Sequence, residues 1–95
     1  MTKADLVKII CDKTGMTRNE VALVVDTFIS TIKEAVLDNN RIEIRGFGNF
    51  SLKKRKRRVA RNPKTKEEVI IPDKIVPDFK ISKIFKKEVD EKFNK

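Results

Sequence analysis

Tryptophan, tyrosine and histidine are absent from this 95-residue chain, and cysteine occurs once, at Cys11. The missing histidine and the single cysteine exclude a Cys/His metal centre and a histidine-based catalytic constellation. One cysteine also excludes an internal disulfide and fits a reducing compartment. Cys11 itself reads as a small hydrophobe beside an apolar stripe. No run of about 18 apolar residues occurs, which argues against a transmembrane helix. The N-terminal MTKADLVKII is charged and amphipathic and lacks the apolar core of a secretion signal. With no Trp or Tyr, six phenylalanines carry all aromatic packing. A domain this short buries little surface on its own, and association is a common remedy. No membrane, cofactor or small-molecule substrate is expected, and no acid–base pair or nucleophile points to an enzyme.

What the chain does have is concentrated charge. Lys53 to Lys66 reads KKRKRRVARNPKTK, with nine basic residues and no acidic one. Outside it, 14 basic residues face 14 acidic ones, so the other 81 residues are formally neutral. A neutral body bearing one cationic segment suits a partner with regularly spaced negative charge. Nucleic acid leads, because neutralised phosphates release condensed counterions. A charge run alone also fits a solvated face or a sorting signal.

The rest of the chain has a readable order. Residues 3–13 form an expected first helix, with Thr2 as N-cap, Asp5 in its first turn and Leu6, Ile9 and Ile10 as a stripe. Thr14-Gly15 ends it. Thr17-Arg18-Asn19-Glu20 is a capping-box pattern opening a longer second helix. There Val21, Val24, Val25, Phe28, Ile29, Ile32, Ala35 and Val36 make an apolar face wide enough for more than one neighbour. Asp38-Asn39-Asn40 turns the chain.

Arg41-Ile42-Glu43-Ile44-Arg45 alternates as a half-buried strand. Gly46 and Gly48 flank Phe47 in an expected tight turn. The strand is then expected to run on into the basic segment with both faces cationic, Lys53, Arg55, Arg57 and Arg61 on one and Lys54, Lys56 and Arg58 on the other. Such a strand has no core face and projects into solvent. Asn62-Pro63 marks a turn, and Val69-Ile70-Ile71 leads back. Ile75, Val76 and Phe79 suggest a last strand that Pro72 and Pro77 confine to an edge or boundary. Ser82 caps a final helix carrying Ile84, Phe85, Val89 and Phe93.

Gly46-Phe47-Gly48-Asn49-Phe50, then Arg55, Arg58 and Arg61-Asn62-Pro63-Lys64-Thr65, then Val76-Pro77-Asp78-Phe79-Lys80 and the helix from Lys83 resemble the bacterial histone-like proteins, HU and integration host factor. The likeness covers essentially the whole chain, most closely in the manner of HU. It implies an α+β fold over residues 1–95: two N-terminal helices serving dimerisation (1–40), a three-stranded antiparallel sheet (41–81) with a long protruding β-arm at about 53–71, and a C-terminal helix (82–95), all in an intertwined dimer. It implies a non-enzymatic protein that binds double-stranded DNA through the minor groove with little sequence preference, bends it, and compacts the nucleoid in the cytoplasm. By the resemblance, Pro63 matches the tip residue that intercalates and kinks DNA. Lys53, Arg55, Arg58, Arg61, Asn62 and Lys64 match arm contacts, and Lys3, Lys83 and Lys86 match phosphate contacts on the body. Phe28, Phe47, Phe50 and Phe79 match a dimer core. The dimer is expected to be of identical chains, or else to pair with a related one.

Two alternatives stand beside this reading. One is an integration-host-factor-like subunit bending DNA at preferred sites. The other, more distant, is an RNA-binding module stacking bases on Phe47, Phe50 and Phe79, although their apolar neighbours favour core packing. This chain also departs from the family pattern. Lys66 stands where the family usually has Gly, so a wider tip turn is expected, since a left-handed Lys is strained. Ser82 replaces a common Gly. Lys54 to Arg58 is denser in charge than the pattern requires, and Glu67 and Glu68 are placed to pair with the arm.

Overall fold

The computed structural model describes residues 1–94. Helix α1 (Lys3–Thr14) and helix α2 (Arg18–Leu37) come first. Strands β1 (Ile42–Ile44), β2 (Gly48–Arg55), β3 (Arg58–Arg61), β4 (Glu68–Ile71) and β5 (Lys74–Ile81) follow, then helix α3 (Lys83–Phe93). The fold is α+β, as the sequence implies.

Local chemistry sets the helix ends. Thr2 and Asp5 form a reciprocal capping box. The Thr2 hydroxyl accepts from the Asp5 N–H, and the Asp5 carboxylate accepts from the Thr2 N–H at 2.8 Å. The Thr2 N–H, together with the Thr2 hydroxyl donating to the same carboxylate at 3.1 Å, holds the Asp5 carboxyl below its ordinary pKa. At α2 only half of the expected box closes: the Thr17 hydroxyl accepts from the Glu20 N–H, with no return bond from the Glu20 side chain. Gly15, at φ 76, ends α1 with its N–H on the Cys11 carbonyl. Asn39 ends α2 at φ 60, a left-handed value that Asn tolerates, and the Asn40 N–H reaches back to the Ala35 carbonyl.

Strands β1, β2 and β5 form one antiparallel sheet in the order β1-β2-β5, and β3 and β4 form a separate two-stranded hairpin. Alternation divides the three-stranded sheet into two faces. Phe50 lies opposite Ile42 and Phe79, and Leu52 lies opposite Pro77. This apolar face packs on α2. Asn49, Ser51, Lys53 and Arg55 point the other way, beside Lys80, Asp78, Val76 and Lys74. Pro77 is tolerated because β5 is an edge strand.

Four phenylalanines gather at one end. Phe79 lies 4.6 Å from Phe50 and 5.3 Å from Phe47 between ring centroids, and Phe47 stacks on Phe85 at 5.9 Å. Phe47 is held by Gly46, whose φ of 80 suits a tight turn closed by the Phe47 N–H on the Ile44 carbonyl. Gly48 is required by crowding: a Cβ there would lie 2.5 Å from both the Lys80 carbonyl oxygen and the Phe79 ring.

The single chain leaves much apolar surface uncovered. Among the described residues only Val7 and Val21 are buried hydrophobics, while Phe28 is 57% exposed, Val24 59% and Leu37 80%. The accessible surface is 8698 Å², where a compact monomer of this mass shows roughly 5,600 Å². The radius of gyration is 19.1 Å, against roughly 12 Å for a compact chain of this length. Part of the excess is the projecting hairpin. The rest is an open groove of about 550 Å³ between α2 and the sheet, lined by Ile29, Ile32, Val36, Phe50, Leu52 and Pro77. No described helix is long and apolar enough to cross a membrane.

Candidate nucleic-acid interface

Strand pairing refines where the arm begins. Lys53, Lys54 and Arg55 pair with Val76, Ile75 and Lys74, inside the three-stranded sheet. The β3–β4 hairpin resumes pairing at Arg58↔Ile71, in the same residue register after two unpaired rungs. The basic segment is therefore not one continuous strand. It breaks at Lys56-Arg57, and the separate arm begins there rather than at Lys53. The cause lies on the opposite strand, where Pro72 has no N–H with which to continue the ladder.

The arm is also less uniformly cationic than the residue run suggests. Val59 pairs with Ile70 and Ala60 with Val69, so short apolar cross-strand pairs hold the hairpin together. Arg58 and Arg61 project to opposite faces, as adjacent parity in a strand requires. Arg61 lies opposite Glu68 in register. Neither Glu67 nor Glu68 forms an ion pair with the arm, and the one ion pair among the described residues is on the body.

At the tip, Pro63, Lys64 and Thr65 form the turn and are exposed. The Lys66 N–H donates to the Asn62 carbonyl at 2.7 Å, and the Asn62 N–H to the Glu67 carbonyl at 2.9 Å. The Asn62 side-chain oxygen accepts from the Lys64 N–H at 2.9 Å. This leaves the Asn62 amide NH₂ for an external acceptor. Lys66 sits at φ 60. The turn is thus tight rather than widened, and Lys66 adopts the left-handed conformation that the sequence argues against. Such a residue costs about 1–2 kcal/mol, offset here by the bonds that close the tip.

The remaining candidates lie on the body. Lys83 and Lys86 occupy the first turn of α3, which Ser82 caps by accepting from the Phe85 N–H. Lys3 opens α1, with its Nζ 2.6 Å from the Asp26 carboxylate of α2, both side chains about half exposed. An ion pair so placed contributes at most about 1 kcal/mol, so a phosphate can compete for the lysine. The sheet register adds Lys74 and Lys80, which share the polar face with Lys53 and Arg55. The signal was the period-two spacing of Lys74, Val76, Asp78 and Lys80. Phe47, Phe50 and Phe79 sit together in the aromatic cluster, joined by Phe85, whose part was not evident from the sequence. Phe28 lies apart, on the open face of α2.

A three-helix body, a small sheet and a cationic hairpin standing clear of both define a non-enzymatic, nucleic-acid-binding architectural protein. Residues 1–90 match the model of the bacterial DNA-binding protein family, and the chain belongs to that family, which comprises HU and integration host factor. It is 43% identical over 96 residues to the integration host factor β subunit of Marinobacter nauticus, covering 100% of this chain and 98% of that one. It is 41% identical over 86 residues to the α subunit from an Anaeromyxobacter species, covering 90% and 87%. Among solved structures, Anabaena HU in a cocrystal with DNA superposes with a TM-score of 0.85 at 37% identity, covering 94% of this chain and 97% of that one.

Proposed function

We propose that the chain works as a dimer that grips double-stranded DNA between two arms, enters the minor groove and bends the duplex with little demand on sequence. The observation that carries this reading is the hairpin itself: basic on its outgoing strand and at its tip, paired with itself, and tipped by an exposed proline. From Lys56 to Pro63, through β3, the outgoing chain reaches at most about 25 Å at strand rise, enough to follow a groove part of the way round a duplex. A minor groove roughly 6 Å wide admits a thin ribbon or single side chains, not a helix. Arginine suits such a groove because its guanidinium is planar and weakly hydrated. Pro63 acts as a rigid wedge without an N–H to leave unpaired. Unstacking one base step costs on the order of a few kcal/mol, offset by the protein surface that bent DNA can touch. Lys53 and Arg55, with Lys3, Lys83 and Lys86 on the body, receive the flanking phosphates, while Arg58, Arg61, Asn62 and Lys64 line the groove contact.

The open α2–sheet groove supports dimerisation. A second copy laying its own apolar face there would cover Phe28 and add to the Phe47–Phe50–Phe79 cluster. Whether the partner is an identical chain or a related subunit is the second reading. It draws support from the matches to both α and β subunits of integration host factor, and it predicts preferred sites chosen by DNA shape. Sedimentation of the purified chain alone distinguishes the two: a stable dimer supports the first, a monomer that dimerises only with a related chain the second. For bending, an end-labelled duplex shortens on binding the unmodified protein, and Pro63→Ala loses most of that shortening. Equal shortening by both proteins would remove the wedge.

A further inference from the structure

The break between body sheet and arm is closed by one side chain. The last rung of the body sheet is Arg55↔Lys74 and the first rung of the arm is Arg58↔Ile71. Lys56 and Arg57 on one strand, and Pro72 and Asp73 on the other, join the two. Across this gap the Arg57 N–H donates to the Asp73 carboxylate at 2.5 Å. The contact links residues 16 apart in sequence. It gives the Arg57 N–H an acceptor at the two positions where strand pairing lapses.

The surroundings are cationic. Lys54, Lys56 and Arg57 line a shallow concavity of about 510 Å³, with Asp73 the one acidic side chain on its wall. Asp73 therefore serves two ends at the root of the arm. It accepts a backbone hydrogen bond, a charge-assisted one of the stronger kind, and it offsets repulsion among three like charges. Hinges of this type are a few residues between rigid elements that absorb a change of direction. A single bond across such a point decides how freely the arm swings.

We propose that Asp73 is the positioning residue of the arm: its carboxylate clips the Arg57 backbone and holds the hairpin at one angle to the body before DNA arrives. The arm then meets the duplex partly pre-organised, which lowers the ordering cost of binding. The inference deepens the DNA-bending reading, and it can fail separately from it because its main readout needs no DNA.

The test uses full-length, isotope-labelled protein in solution. Residual dipolar couplings of the arm amides 58–71 are compared with those of the body in the unmodified chain, Asp73→Ala and Asp73→Asn. An amide oxygen still accepts a hydrogen bond but carries no charge. Asp73→Ala is expected to reduce the arm couplings roughly twofold as the hinge loosens on faster timescales, with body couplings unchanged. Asp73→Asn is expected to keep most of them. Bending of a nicked duplex is read in parallel, and Asp73→Ala is expected to broaden the end-to-end distance distribution. Unchanged arm couplings in Asp73→Ala would overturn the proposal. So would equal gains in DNA affinity for both variants without any change in couplings, since that result assigns Asp73 to charge alone. If the unmodified protein fails to bend DNA while the couplings respond as expected, the clip stands and the bending reading falls.

Discussion

The body and the arm of this chain are stabilised by different means. The body has capped helix ends, an aromatic cluster and a sheet with one apolar face. The arm has four-residue strands, a few exposed aliphatic pairs and a tip closed by backbone bonds. The body's order comes from packing, which leaves an apolar face of α2 open. The arm's order comes from short-range pairing, and its charge is left to be neutralised from outside. One short sequence thus holds a packed scaffold and a separately paired cationic hairpin.

The sharpest way to break this comparison is to remove the arm. Replacing residues 57–72 with a short turn is expected to leave dimerisation and thermal stability of the body nearly unchanged. DNA affinity at moderate salt should fall on the order of a hundredfold or more, because several phosphate contacts and their counterion release are lost. Titration of a labelled duplex and a melting curve check the two halves together. A body that unfolds without its arm would show that the regions are not independent.

The converse change strikes the body. Phe28→Asp places a charge on the open face of α2, and burying it against a partner without a counter-charge is prohibitive. The expected outcome is a shift from dimer to monomer in sedimentation, followed by loss of DNA binding. Unaltered sedimentation would move the dimer interface elsewhere.

A smaller effect is expected at the tip. Lys66→Gly relieves the left-handed strain and should tighten the tip by about 1 kcal/mol, although the loss of one cation flattens the salt dependence of binding slightly. Slower amide exchange at Asn62 and at position 66 reports the first effect. The smallest effect concerns Asp5, whose bonds to Thr2 lower its carboxyl pKa on folding. A depressed folded value means the contribution is present above the unfolded pKa and is lost as pH falls through the folded one. Asp5→Asn should therefore make acid unfolding of the body shallower, with no change in DNA binding at neutral pH.

Much of the body was legible residue by residue. Helical spacing located α1 and α2, Gly15 and Asn39 marked their ends, and Pro77 placed β5 at an edge. What escaped the sequence depends on partners that are distant in the chain. The break at Lys56-Arg57 has no local signal, since Lys54 to Arg58 are alike; Pro72 on the opposite strand imposes it. Phe85 became part of the aromatic cluster only when α3 folded back onto the Gly46–Gly48 turn, tied by the Ser82 N–H on the Phe47 carbonyl. Lys66 was misjudged because its strain was weighed without the bonds that close the tip. Of the candidate interface, the basic run was legible from charge and the arm residues were proposed from the family resemblance, whereas Lys74 and Lys80 needed the register of β5 against β2.

The central claim is that the arm bends DNA rather than merely adhering to it. The most direct measurement titrates the protein against an intact duplex and the same duplex with a central nick, both carrying end-to-end fluorescence labels, across a salt series. The account predicts tighter binding to the nicked duplex and a shortened end-to-end distance. It also predicts a fall in affinity of roughly a thousandfold between 50 and 200 mM salt if about six phosphates are neutralised. Equal binding to both duplexes with an unchanged end-to-end distance would contradict it and leave only a polycation attached to a folded body.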